Sequence, residues 1–450
     1  MPHDAREPVP DAPVTAGDGD GAALPESPAS GHPLLPAFAG IGIELEYAIV
    51  ATDTLDILPI ADWLLAQEAG DGAADAVRGA YGWSNELVLH VIEIKNIAPS
   101  TTLAGVAGHF AAEVGAIDAL LGRRGARLLP GAMHPWMNPA TQTCLWPHGD
   151  AEIYAQFDRI FDCARHGWAN LQSMHVNLPF ASDGEFARLH AAIRLVLPII
   201  PALAASSPFA DGREAGCADA RMAAYRDNAK GFAAISGAVI PDTMSSRAEY
   251  DAQILQPAYR AIAPHDPHGL LQHEWLNSRG AIARFDRNAI EIRVTDTQEC
   301  PRADIAVAGA IVAVAKMLYD GRGASLALQQ AYATGDLFVL LQRCIIDGEA
   351  ACIDGPAGAA YLRLLGHPGI ACSAQQLWRH LLGTLRPELD IDASGLAALE
   401  HILEHGTLAT RLRAAAGAQP SHARLHAVYG ELADCLQSGR MFGGPARDVT

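Results

Sequence analysis

From Ile41 to Ile49 the chain alternates without interruption between two kinds of side chain. Neighbouring residues of a strand point to opposite faces. Ile41, Ile43, Leu45, Tyr47 and Ile49 therefore share one face, while Gly42, Glu44, Glu46 and Ala48 share the other. The apolar face must be covered, which commits this part of the chain to a sheet with a packed layer behind it. The opposite face holds two carboxylates about 7 Å apart, at about 3.3 Å of rise per residue. Such a pair is self-repelling unless water solvates it or a cation lies close by. An ordinary wet sheet face and a metal-lined face both satisfy this segment.

The pattern recurs three times. In 172–180, Met174, Val176 and Leu178 oppose His175 and Asn177. In 288–296, Ile290, Ile292 and Val294 oppose Glu291, Arg293 and Thr295. In 86–95, Ile92 and Ile94 oppose Glu93 and Lys95. If these strands lie side by side, one face carries Glu44, Glu46, Glu93, His175, Glu291 and Arg293. Oxygen donors with one imidazole suit Mg²⁺ and also Mn²⁺. Without a metal, replacing one acid such as Glu291 by its amide is expected to relieve repulsion and leave the fold intact. Glu86 precedes Glu93 by seven residues, so an unbroken strand sends the two to opposite faces. It joins the cluster only if the chain bends between them.

The rest of the chain narrows the class. Half of the 450 residues are hydrophobic, enough for a large core in one or two domains. A net charge of −19 argues against nucleic acid and anionic membrane surfaces as partners. The three lysines (Lys95, Lys230 and Lys316) each follow a residue other than glycine, which rules out a Walker-type phosphate loop. Eight cysteines without a CxxC pair, and no signal-like start, favour a reducing cytoplasm. The apolar windows at 191–205 and 305–318 are too short to span a bilayer.

Residues 1–36, rich in Pro, Ala, Gly and Asp, are expected to be a disordered tail. Strands at 40–50, 86–95, 172–180 and 288–296 interleave with helices at 103–122, 150–168, 184–204 and 303–319. The class expected is α+β, a largely antiparallel sheet with helices on its outer side. A catalytic domain is placed at 37–322 and a helical C-terminal region at 323–450. His265, His268, His273 and Glu274 match no zinc spacing. His134 and Trp136, in "GAMHPWMNP", suit the rigid wall of a pocket.

Six segments occur in the order of one family: "GIELEY", "VIEIKN", "GAMHPWMNP", "SMHVNLPF", "ASSPFADG" with Arg221 after it, and "IEIRVTD" with a helix after it. Over about 38–320 the chain resembles the glutamate–cysteine ligase type 2 group, the carboxylate–amine ligase branch of the glutamine synthetase superfamily. The resemblance implies an antiparallel half-barrel whose carboxylate-lined inner face binds ATP and Mg²⁺. It implies Glu44, Glu46, Glu93, His175 and Glu291 as metal ligands. Arg293, Arg284 and Glu93 become catalytic groups, and Asn177, Arg284 and Arg293 nucleotide contacts. Arg221, His134 and Trp136 become substrate contacts. Asn177 stands where relatives usually have a second histidine, Lys95 or Asn96 where many have threonine, and Arg279, Arg284 and Arg287 are spaced differently.

The expected activity is ATP-dependent amide formation through an acyl phosphate, from a small acid (an amino acid such as glutamate) and an amine. A homo-oligomer is compatible with it. Metal-dependent amide hydrolysis and nucleotide or metal binding without turnover remain open on the same scaffold.

Overall fold

In the computed structural model, which describes residues 34–443, the alternating segments become strands of one antiparallel sheet. The strands are β1 (Gly42–Ala51), β2 (Asp75–Arg78), β3 (Tyr81–Asn85), β4 (Val91–Asn96), β5 (Ala126–Leu129) and β6 (Ser173–Pro179). A separate small ribbon follows, β7 (Phe209–Ala210) with β8 (Arg213–Glu214). The last two strands of the main sheet are β9 (Ala281–Arg284) and β10 (Ala289–Asp296). The order is β2-β3-β4-β1-β6-β10-β9. β1 takes β4 along Glu44–Ala48, β6 along Gly42–Leu45 and β5 along Ala48–Ala51. The expected mixture of helices with an antiparallel sheet is what forms. The tail expected at 1–36 lies, as far as residue 33, outside the described residues.

The apolar faces behave as their periodicity requires. Ile43, Leu45, Tyr47, Ile92, Ile94, Val176, Leu178, Ile290 and Ile292 are all buried. They join one core with the helices Val106–Leu121, Asp183–Val196 and Pro301–Tyr319. The last is buried nearly all round, as its Ala/Ile/Val run demands. Leu337, Leu341, Leu377, Trp378 and Leu399, from the helices that follow, belong to the same core.

Three expected elements change. The strand expected at 86–95 is a turn followed by a single strand: β3 ends before it, at Asn85, and β4 starts only at Val91. The helix at 150–168 stops at Phe161, where Asp162 takes a left-handed conformation with φ of 55°. The helix at 184–204 breaks after Val196, because Pro198 and Pro201 cannot donate to the preceding turn. β2, β3, β5 and β9 were not foreseen as separate strands. All eight cysteines are free thiols. No helix of the described residues is long and apolar enough to cross a membrane.

Candidate active site

Register brings the polar faces together. Across the sheet, Ser84 lies opposite Glu93 and Glu93 opposite Glu46. One step along, Gly82, Lys95, Glu44 and His175 form the next row. Gly42, Asn177 and Glu291 form a third. Gly42 allows its row to close: a Cβ there would lie 2.9 Å from Asn177 Cβ. Asn177 Nδ2 then donates to Glu44 Oε1 at 3.2 Å.

His175 is the hub. Its Nδ1 bonds Glu44 Oε2 at 2.8 Å and lies 4.0 Å from Glu291 Oε1, while Nε2 lies 3.7 Å from Glu46 Oε1. Ser173 donates to Glu46 Oε2 through its N–H at 2.7 Å. Ser84 Oγ donates to Glu93 Oε1 at 2.7 Å and accepts from Lys95 Nζ at 2.9 Å. On the far side Glu291 takes Arg293 Nε at 2.5 Å and Arg284 Nη1 at 3.4 Å. Arg287, half exposed, reaches Glu44 at 3.7 Å.

Protons respond to this crowding. Burial alone would lower His175, but its bond to Glu44 and the charges of Glu46, Glu44 and Glu291 lift it to about 9. Burial and then the Glu44 charge raise Glu93 to about 7, against the pull of Lys95. Burial would raise Glu291 as well, but Arg293, His175 and Arg284 hold it at about 2. Burial works upward on Glu44 too, and the His175 hydrogen bond outweighs it, holding that carboxyl below its usual range. Glu86 lies in the turn between β3 and β4. Burial and then the charges of Glu46 and Glu93 push its carboxyl well above the usual range.

The donor set fits a dication. Glu44, His175 and Glu291 form one group, and Glu46, Glu93 and His175 another; in each, one ligand atom per residue lies within 4.8 Å of the others. Asn177 Oδ1, buried without a partner, adds an idle acceptor. Carboxylates with a single imidazole suit Mg²⁺ or Mn²⁺ better than zinc.

Other candidates go elsewhere. Arg279 is turned to the carbonyls of Ala234 and Ile235 at 3.2 and 3.4 Å and to Asp242 at 3.4 Å. Arg221 forms a buried pair with Asp296. His134 is buried, its Nε2 bonded to Leu55 O at 2.7 Å, and Trp136 donates to Asp56 at 2.9 Å beside His422. The polar atoms of these two are not engaged with the acidic cluster. His265, His268, His273 and Glu274 form no ligand group among the described residues. Three residues of the site were not anticipated: Ser84, Ser173 and Tyr225, on the last of which the Arg293 charge acts.

Comparison with known proteins adds a lineage. The family model described as glutamate-cysteine ligase family 2 matches residues 40–429. A protein of Archaeoglobus fulgidus described as uncharacterized is 36% identical over 274 residues, 61% of this chain and 73% of that one. A putative glutamate–cysteine ligase 2 of Bradyrhizobium sp. (strain ORS 278) is 25% identical, covering 62% of each chain. A putative glutamate–cysteine ligase 2-3 of Rubrobacter xylanophilus is 28% identical, covering 47% of this chain and 53% of its own. This chain thus spans less than two thirds of either named relative. Among solved structures, the complex of the prokaryotic ubiquitin-like protein Pup with its ligase PafA aligns with 90% of this chain and 65% of that one. It does so at 12% identity and a TM-score of 0.37, too loose to bear on fold or function.

Proposed function

This chain belongs to glutamate–cysteine ligase family 2, and from that membership we propose an ATP-dependent carboxylate–amine ligase working through an acyl phosphate. The observation that carries the reading is a single sheet face on which Glu44, Glu46, Glu93 and Glu291 surround His175, with Arg284 and Arg293 at its rim. In this reading the sheet is the half-barrel of the glutamine synthetase superfamily. Residues 37–322 would be the catalytic domain and 323–450, of which 444–450 lie outside the described residues, a helical region packed on it.

Glu44, Glu46, Glu93, His175 and Glu291 would hold Mg²⁺ or Mn²⁺. Such a metal would supply positive charge to neutralise the phosphates of ATP. Arg293 and Arg284, which pair with Glu291, would offer planar forks matched to phosphoryl oxygens. Asn177 offers its amide from the same row. A carboxylate oxygen of the acid bonds the terminal phosphorus as ADP leaves. The amine nitrogen then bonds the acyl carbon as phosphate leaves and a proton is lost, with Glu93 placed to take it. The names of the relatives favour an amino acid such as glutamate as the acid.

The test is a matrix of amino acids and amines offered to the purified protein with ATP and Mg²⁺, read by phosphate release. Release that requires both an acid and an amine is expected. Amide hydrolysis without ATP, or ATP binding with no turnover across the matrix, would sink the proposal.

A further inference from the structure

Arg293 sits at an irregularity. Between Ile292 and Thr295 the register of β10 against β6 shifts, so β10 carries one residue more than its partner. Such a bulge re-aims a side chain. The backbone of Arg293 is gripped on both sides: its N–H donates to Gly280 O at 2.9 Å, and its carbonyl accepts from Arg221 Nη1 at 3.2 Å. Gly280 permits the approach, since a Cβ there would lie 2.5 Å from Val294 Cγ1.

Arg221 is itself held. It is 1% exposed, and its Nε donates to Asp296 Oδ1 at 2.5 Å. Asp296 Oδ2 is engaged by Ser206 N at 2.8 Å and Ser207 Oγ at 2.9 Å. The remaining nitrogen, Nη2, is sealed from solvent, which leaves a substrate carboxylate no open approach to it. Asp219 caps the helix Ala220–Tyr225 through Met222 N at 2.8 Å. Four residues after Arg221, on the same helix face, comes Tyr225. Its hydroxyl is buried without a partner at hydrogen-bond distance, and the Arg293 charge acts on it.

We infer that the helix Ala220–Tyr225 is the positioning element of Arg293, Arg221 fixing its main chain at the bulge and Tyr225 backing its guanidinium. Arg221 is then a positioning residue rather than a substrate clamp. The inference rests on the ligase reading for what Arg293 does, and on geometry alone for how it is held.

Arg221→Lys keeps the charge and loses the fork. Hydrogen exchange of the Ala289–Asp296 strand, read by mass spectrometry, is expected to rise about tenfold while Gly42–Ala51 stays unchanged. With an acid–amine pair that releases phosphate, kcat is expected to fall about tenfold and the KM for the acid to stay within about twofold. Normal exchange in β10 together with a raised KM for the acid would overturn the inference. Tyr225→Phe removes one hydroxyl and spares the packing. It is expected to lower kcat about three- to tenfold at an unchanged melting temperature, and a wild-type kcat would remove Tyr225 from the device. The exchange measurement needs no substrate. A wild-type protein that releases phosphate with no pair therefore counts against the ligase reading alone.

Discussion

At Glu291 three cationic groups converge on one carboxylate: Arg293 at 2.5 Å, Arg284 at 3.4 Å and His175 at 4.0 Å. Read from sequence, Glu291 is one acid among several, and making it neutral relieves repulsion. The partners reverse that sign. Glu291→Gln leaves buried guanidinium groups without their counter-charge, so the metal-free protein is expected to lose about 3 kcal/mol, the scale of a broken buried pair. Phosphate release is expected to fall about a hundredfold or more, the loss of one preorganised electrostatic group. Melting curves without metal, and turnover measured well below the melting point, check both. A more stable variant with full turnover would return Glu291 to an ordinary surface. Glu44, Glu46, Glu93 and His175 were legible because a period of two is a local signal. Ser84, Ser173 and Tyr225 were not, because serines and tyrosines occur throughout the chain and only register decides which of them touch the acids.

Among the elements, legibility followed length. β1, β6 and β10 each hold seven or more residues, enough for alternation to declare itself. β2, β5 and β9 hold four, which is too few to separate a strand from chance. The β3–β4 hairpin was hidden for another reason: its turn contains Leu87, Val88 and Leu89, which read as more strand. The β1–β6 contact makes a test of its own. Gly42→Ala would place a Cβ 2.9 Å from Asn177 Cβ, so one strand must yield. A loss of about 1–3 kcal/mol is expected, the range for overpacking, with weaker Mg²⁺ binding as Asn177 leaves Glu44. Urea midpoints and calorimetric titration with Mg²⁺ would measure the two effects. An unchanged midpoint would mean that the strands have slack at this row.

At the scale of the whole molecule, three histidines among the described residues are buried. Burial lowers His90 to about 4, His134 to about 4 and His190 to about 3. Unfolded histidines titrate near 6.5, so below that pH the unfolded chain takes up protons that the folded chain refuses. Stability is therefore expected to fall as pH drops from 6.5 toward 4, by up to about 1.4 kcal/mol per pH unit for each histidine. His190 isolates one of the three, because neither ring nitrogen has a partner. His190→Leu is expected to raise stability at pH 7 by about 1 kcal/mol and to make the acid limb shallower. Melting temperatures at pH 7.5, 5.5 and 4.5 would show it; parallel curves for the two proteins would refute it. Composition announced a large core but not its buried histidines, since burial is a property of the assembled layers. The three-way pairing of β1 also bears on time. Glu44 waits for His175, 131 positions later, and the neighbouring row of Gly42 and Asn177 is closed only when Glu291 arrives. Contacts of such separation form slowly. A growing chain therefore carries its first acidic strand long before the last wall of the site exists.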